Sequence, residues 1–348
     1  MGEWNGSRSE AVSDTTLDFN LRSLPISVRS CIDNVINPEL ASFIFSIPKT
    51  CFTKQGTLNC QKFINKASKA QIDEVYQVVL PQFPQMMMNT YANYTCQTIF
   101  TVSSSKQRIR LLLYLEKSLP SLAIDYKASH ALQTLASLCS CSEEEMIYAR
   151  AFKGCILNMA YHPNACYILQ KLCTTITDLT FIVEEIIKEV SNLCMDKHGL
   201  NLIKKCIIDL RISECVSKNF LNLIQDPYGN YAAQLLVKHH ADKFHENINA
   251  QIAGKVPQLC VQKYSSNVIE KCLEAQHIRD AILTEITCIE NLKLVMNSNY
   301  GCYVIKTAAL NSHSKQRSDL YLAVTQTLPF LSKKGLKSRW NKILELLS

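Results

Sequence analysis

Gly229-Asn230-Tyr231-Ala232-Ala233-Gln234 recurs in outline at Tyr91-Ala92-Asn93-Tyr94-Thr95-Cys96-Gln97: small residue, Asn, Tyr, two packing residues, Gln. Sliding that template along the 348 residues finds eight copies, whose first polar-edge residues are Thr57, Asn93, Ser129, Cys166, Leu200, Asn230, Ser266 and Cys302. The intervals are 36, 36, 37, 34, 30, 36 and 36 residues. Such a period marks a solenoid, in which each unit closes its core only against its neighbours.

The aligned copies carry a physical pattern. The residue before the first position is always small: Gly56, Ala92, Ala128, Ala165, Gly199, Gly229, Ser265 and Gly301. A small side chain there lets one helix start close against its neighbour. Four positions after the first comes a long polar residue every time: Gln61, Gln97, Gln133, Gln170, Lys204, Gln234, Glu270 and Lys306. On an α-helix, positions i, i+1 and i+4 lie within roughly a 100° arc, so each copy presents three side chains as one stripe. Val268 and Ile269, or Val304 and Ile305, then point into the core. Asp196, Asp226 and Asn89 precede their stripes where an N-cap belongs. A further helical stretch follows each stripe, as at 180–187. β-Propellers share such periods but need strand alternation and turn glycines, and the chain has only 9 glycines. An all-α solenoid with stacked stripes follows.

The ends depart from the repeat. Residues 1–20 are polar and read as a disordered tail, while 21–37 and 319–348 read as apolar helical caps without a stripe. The repeats fill about 38–318. Lys333, Lys334, Lys337 and Arg339 read as a solvated cap surface, and the 30-residue interval after Leu200 predicts a shortened helix there.

Composition narrows the function. With 47% hydrophobic and 19% charged residues the chain folds rather than staying disordered. A net charge of +7 is compatible with a polyanionic partner. The 16 cysteines sit mostly in apolar stretches without any C-x-x-C spacing, so they read as reduced, buried residues of an intracellular protein. The first residues carry no signal-peptide core, and no apolar run approaches the ~18 residues of a membrane span. The chain reads as soluble and cytoplasmic, with no membrane partner.

The middle residue of the stripe is Leu58, Tyr94, His130, Tyr167, Asn201, Tyr231, Asn267 or Tyr303. Five of these eight are planar rings between polar side chains, an arrangement suited to stacking flat bases. The flanking pair can meet a base edge. Asn with Gln matches the O2, N3–H and O4 pattern of uracil; Ser with Glu accepts from N1–H and the N2 amino group of guanine; a small residue with Gln suits adenine. A helical repeat that reads one base with two or three side chains is an established mode of RNA recognition.

Here the sequence resembles a family. The segments from Asp226 to Gln234 and Tyr264-Ser265-Ser266-Asn267-Val268-Ile269-Glu270-Lys271-Cys272 look like Pumilio (PUF) repeats, the second being nearly that family's guanine-reading repeat. The resemblance covers all eight copies and both caps, about residues 21–348. It implies a right-handed superhelical crescent of eight helical repeats between capping helices. Single-stranded RNA would lie on the concave face, antiparallel to the protein, with repeat eight at the 5′ base. Carried over residue by residue, Ser266/Glu270 implies G, and Asn230/Gln234 and Asn93/Gln97 imply U. Cys166/Gln170, Ser129/Gln133 and Thr57/Gln61 imply A. Leu200/Lys204 and Cys302/Lys306 match no pair of the code, which leaves 5′-nGUnAAUA-3′. The resemblance further implies a monomer without cofactor that controls messenger RNAs post-transcriptionally through their 3′-untranslated regions, with decay or translational-repression factors as partners.

Two other readings compete. An α-solenoid can be a protein-interaction scaffold, which predicts unrelated residues at i and i+4, whereas six of the eight pairs fit the code. A nucleolar PUF-like protein binding structured RNA predicts a heavier basic load than +7 and more degenerate stripes. Catalysis finds no support: G-x-S-x-G, H-E-x-x-H, H-x-E with P-C-x-x-C, and Walker patterns are all missing. His239, His240 and His245 cluster without an acidic or cysteine partner at ligand spacing and read as surface residues. The chain reads as a non-enzyme.

Overall fold

A computed structural model describes residues 38–331 and 337–348. The tail at 1–20, the N-terminal cap at 21–37, Lys333 and Lys334 lie outside the described residues, as does the side chain of Lys337. Within the described residues there are helices and no strands. The chain is an all-α solenoid.

Six of the seven intervals fold into the same three pieces. The helix Ala92–Val102 carries a stripe, Ser105–Leu115 lies outside it, and the short helix Leu119–Ile124 leads to the next stripe helix, Tyr126–Ser137. Local chemistry sets these breaks. The Ser104 hydroxyl accepts from the Gln107 N–H while the Gln107 side chain accepts from the Ser104 N–H, a reciprocal cap that starts the outer helix. Pro120 opens the short helix, where a missing N–H costs nothing. Asp125 then accepts from the N–H groups of Lys127 and Ala128 and starts the next stripe helix. Asp196 serves Gly199 and His198 in the same way, Asp226 serves Gly229 and Tyr228, and Asn89 serves Ala92 and Tyr91.

The core is one continuous layer between stripe helices and outer helices, and Val268, Ile269, Val304 and Ile305 are fully buried in it. The small residue before each stripe marks a close approach. A Cβ on Gly301 would lie 2.0 Å from the carbonyl oxygen of Val295, at the end of the preceding short helix. On Gly229 it would lie 2.9 Å from that of Leu223. Gly301→Ala is therefore expected to lower stability by about 1–3 kcal/mol, with Gly229→Ala the milder of the two. Urea midpoints measure both, and equal losses would remove the approach as the cause.

Straps join successive units. Glu185 accepts from the N–H groups of Gly154 and Ile156, and Glu285 from those of Gly254 and Val256. Gly154 and Gly254 hold φ of 78° and 71°, a left-handed turn that glycine adopts without a Cβ penalty. Deeper, the guanidinium of Arg108 pairs with Glu144 at 2.7 Å, both buried, and ties the outer helix Ser105–Leu115 to the next one, Ser142–Phe152.

The expected irregularity falls where the interval shortens. The stripe helix Gly199–Cys206 and the outer helix Leu210–Lys218 have 8 and 9 residues, against 11 in Ala92–Val102 and Ser105–Leu115. The next stripe helix continues without a break as Gly229–Ile252, bent at His240. The His240 imidazole there donates to the carbonyl of Ile207, which also accepts from the Ser213 hydroxyl. That continuous helix carries no sequence signal. At the C-terminus the outer helix Ser314–Thr327 runs across position 319, where the cap was expected to begin. The stripe-free helix Lys337–Leu347 closes the end, anchored by buried Trp340, whose indole N–H donates to Met296 O at 3.2 Å.

Candidate nucleic-acid interface

All eight stripes start in the first turns of helices: Lys54–Ile64, Ala92–Val102, Tyr126–Ser137, Ala165–Thr175, Gly199–Cys206, Gly229–Ile252, Ser265–Glu274 and Gly301–Asn311. Each of these helices packs on the next, so the stripes form one row. The row ends against Lys337–Leu347.

The three stripe positions are not equally presented, which corrects the picture of three exposed side chains. The first residue is buried in every copy; Asn93 and Asn230 are only 4% and 2% exposed. It turns away from solvent, in most copies toward the carbonyls of its own helix entrance. The second residue stands out: Tyr94, Tyr167, Tyr231 and Tyr303 are 54%, 47%, 51% and 55% exposed, and His130 and Asn267 are exposed as well. Leu58 is exposed and Asn201 half-buried. The fifth residue is half-buried in seven copies and exposed at Lys306.

Hydrogen bonds show why. The Asn93 amide donates to the carbonyls of Asn89 and Thr90, and its oxygen accepts from Gln97 at 3.0 Å. Asn230 repeats the arrangement, donating to Asp226 and Pro227 and accepting from Gln234 at 3.1 Å. The donors that sequence alone assigns to the base are therefore used by the helix N-terminus. Asn orients Gln, and Gln is left with an acceptor oxygen and a second N–H. Those two groups suffice for N3–H and a carbonyl of uracil.

The other first residues also turn inward. The Ser129 hydroxyl donates to Tyr126 O, the Ser266 hydroxyl reaches Lys263 O, and the Cys166 and Cys302 thiols reach Pro163 O and Asn299 O. Thr57 bonds to Tyr91 O and Thr95 of the next repeat, and accepts from Gln61. Beside Cys166, the amide nitrogen of Gln170 is buried with the thiol as its neighbour and no oxygen or nitrogen acceptor among the described residues.

Glu270 is the one carboxylate at a fifth position. Burial raises its carboxyl above the ordinary range, and the Thr307 hydroxyl, donating at 3.2 Å, opposes that shift. Thr134 likewise donates to Gln97 across a repeat boundary, at 3.3 Å. These two threonines hold the fifth stripe residue of the preceding repeat, and sequence reasoning missed them. It also missed Tyr91, Tyr228 and Tyr300, exposed beside the row at the helix entrances. The Tyr-Ala or Tyr-Gly pair before each of those stripes was the available signal.

The two departures differ in kind. Leu200 is buried, the Asn201 amide donates to Lys197 O, and the Lys204 ammonium sits 5.1 Å from the centroid of the Tyr231 ring. A cation over a ring is attracted by its quadrupole. One face of Tyr231 is thereby covered by repeat five's own side chain. Lys306 instead borders a cavity against the C-terminal helix.

Remaining candidates pack without forming a second site. His245 lies against His277 with ring centroids 4.9 Å apart. The described cysteines are free thiols. Burial pushes those of Cys51, Cys139 and Cys194 up to about 12, so they stay protonated near neutral pH. No helix among the described residues is long and apolar enough to cross a membrane.

Comparison with known proteins agrees with this architecture. The NOP9-like PUF repeat domain matches residues 115–240. The Pumilio-family RNA binding repeat matches residues 82–114 and 255–287. A Pumilio domain-containing protein of Schizosaccharomyces pombe is 25% identical over 327 residues, which cover 90% of this chain and 48% of that protein. Pumilio homolog 12 of Arabidopsis thaliana is 27% identical over 274 residues, 74% of this chain and 46% of the homolog. The chain thus spans about half the length of the curated relatives it matches. Among solved structures, PUF-8 in complex with PBE-RNA has a TM-score of 0.79 at 20% identity, over 92% of this chain and 97% of that one. The Puf4 RNA binding domain bound to an HO endonuclease RNA 3′ UTR recognition sequence has a TM-score of 0.77 at 21% identity, over 85% and 97%. At such identities the likeness is one of fold.

Proposed function

Because the chain is a divergent member of the Pumilio (PUF) family, we propose that it binds single-stranded RNA along the row of stripes, one base per repeat. The observation that carries this is the row itself: exposed rings in five of the eight stripes, with Gln97 and Gln234 beside Tyr94 and Tyr231 held by hydrogen bonds and Glu270 held by Thr307. Bases stack on exposed rings, and oriented amides or carboxylates select their edges. The domain covers residues 21–348, with repeats over about 38–318. The target is 5′-nGUnAAUA-3′, and the role is control of messenger RNA in the cytoplasm through recruited decay or repression factors. We read the chain as a binding protein without catalysis. Selection of bound RNAs from a random pool tests this, with GU followed two bases later by AAUA as the expected enrichment.

A second reading, a nucleolar protein binding structured RNA, draws support from the NOP9-like match over residues 115–240. The same selection separates the two. Enriched stems without a shared single-stranded motif would favour the nucleolar reading.

Repeat five carries its own expectation. With Lys204 laid over Tyr231, the fourth base meets no selective pair. Leu200→Asn with Lys204→Gln frees the ring and installs the uracil pair. A uracil preference of roughly tenfold at the fourth base is expected in competition among four RNAs differing there. Flat selectivity would mean that the shortened repeat stands off the RNA.

A further inference from the structure

At the end of the row, a cavity of about 340 Å³ opens between the helix Gly301–Asn311 and the closing helix Lys337–Leu347. Three cations line it, Lys306, Arg339 and Lys342, with the half-exposed ring of Tyr303 on one side and Ile343 and Leu346 as its apolar floor. Among the described residues no carboxylate lines it. The carboxylate of the adjacent stripe, Glu270, accepts from Thr307, and none of the three cations is in an ion pair among the described residues. The floor is held in place from two sides. The buried Trp340 indole donates to Met296 O, and Arg317 donates to Leu346 O at 3.0 Å. Arg339, exposed on the closing helix, thus borders this cavity as well as solvent.

Like-charged side chains gathered around one cavity repel one another unless an anion joins them. Arg and Lys are the donors that bind phosphate through charge-assisted hydrogen bonds. We propose that this cavity is a phosphate site, which takes the phosphate on the 5′ side of the base read by Ser266 and Glu270. Repeat eight then contributes Lys306 to the RNA backbone instead of selecting a base edge, and Cys302 selects nothing. This inference rests on the RNA-binding reading and on its antiparallel polarity. The phosphate comes from one of two sources, an internal phosphodiester of a longer RNA or the terminal 5′-phosphate of a processed one.

The test uses the whole chain and four RNAs: a 5′-hydroxyl GUAAAUA, the same RNA with a 5′-phosphate, an 8-mer with one more 5′ nucleotide, and that 8-mer with a neutral methylphosphonate at the first linkage. The phosphodiester 8-mer is expected to bind roughly three- to tenfold more tightly than its methylphosphonate counterpart. Its affinity should also fall more steeply with salt, by about one unit of log–log slope. Both differences should vanish in the double variant Arg339→Gln, Lys342→Gln, which still binds the 5′-hydroxyl 7-mer like the parent. A gain with the phosphorylated 7-mer alone assigns the site to a terminal phosphate, and a gain with the 8-mer alone assigns it to the backbone. Equal binding by the two 8-mers together with no gain from the 5′-phosphate on the 7-mer overturns the proposal while leaving base reading intact. If no RNA binds, base reading itself has failed. The cavity is then tested with adenosine 5′-monophosphate: a rise in Tm in the parent but not in the double variant upholds an anion site, and no rise overturns it.

Discussion

Ser266→Asn combined with Glu270→Gln is expected to move the second base of the bound RNA from G to U, changing relative affinity by about ten- to a hundredfold. The carboxylate of Glu270 can accept from both N1–H and the N2 amino group of guanine. Uracil offers a single donor, N3–H, and turns its carbonyl oxygens toward the acid. The double substitution rebuilds the arrangement of repeats two and six. Asn93 and Asn230 fit buried at the same position and donate to carbonyls three and four residues back. Lys263 and Gln262 offer the equivalent carbonyls, so the introduced amide has its partners ready and can hold the new glutamine. Competition between nGU- and nUU-headed RNAs reads the outcome. If Glu270 only solvates its face, the swap alters affinity for both RNAs alike and no switch appears.

The same carboxylate makes guanine reading pH-dependent in the parent. Accepting two donors requires the ionised form, and burial raises the Glu270 carboxyl above its ordinary range. As pH falls, Glu270 therefore protonates earlier than an exposed glutamate would. The preference for G over U should be full at neutral pH and decline on acidification, beginning above the ordinary carboxylate range. In the Glu270→Gln variant the dependence should be lost.

The second large effect concerns stability. Glu144→Ala is expected to cost about 3–5 kcal/mol, because it leaves the Arg108 guanidinium buried and without its counter-charge. The guanidinium now donates to Glu144, to Ser103 O at 2.9 Å and to Ser140 Oγ at 2.9 Å. Glu144 also accepts from the Ser140 N–H at 2.8 Å, so its removal strands a backbone donor as well. Chemical denaturation measures the loss. Replacing both partners with apolar residues, Arg108→Met with Glu144→Leu, should recover most of it, since no unpaired charge then remains. A double variant as unstable as Glu144→Ala would mean that packing rather than charge pairing makes this junction.

The fold was legible because a solenoid repeats its instructions. A small residue followed five positions later by a long polar one recurs at 30 to 37 residues, with a ring between them in five of the eight copies, and each repetition is independent support for the same helix at the same place. The shortened fifth repeat was legible for the same reason, as a gap in an otherwise regular count. By contrast, neither Thr134 nor Thr307 stood out, because a threonine one position past the stripe matters only when the neighbouring repeat brings Gln97 or Glu270 within reach.

Sequence by itself determined the all-α repeat architecture, the place of each stripe on its helix and the row of rings, since these follow from helical periodicity and one-repeat spacing within a single chain segment. Tertiary structure alone decided what lies between segments: the burial of the first stripe residue, the use of the Asn93 and Asn230 donors by the backbone, and the cover of Lys204 over Tyr231. It also decided the Arg108–Glu144 pair and the meeting of Lys306 with Arg339 and Lys342. Each depends on distances between groups roughly 30 or more residues apart, or on which carbonyl a turn leaves open. A local period of 3.6 residues per turn carries no information about either.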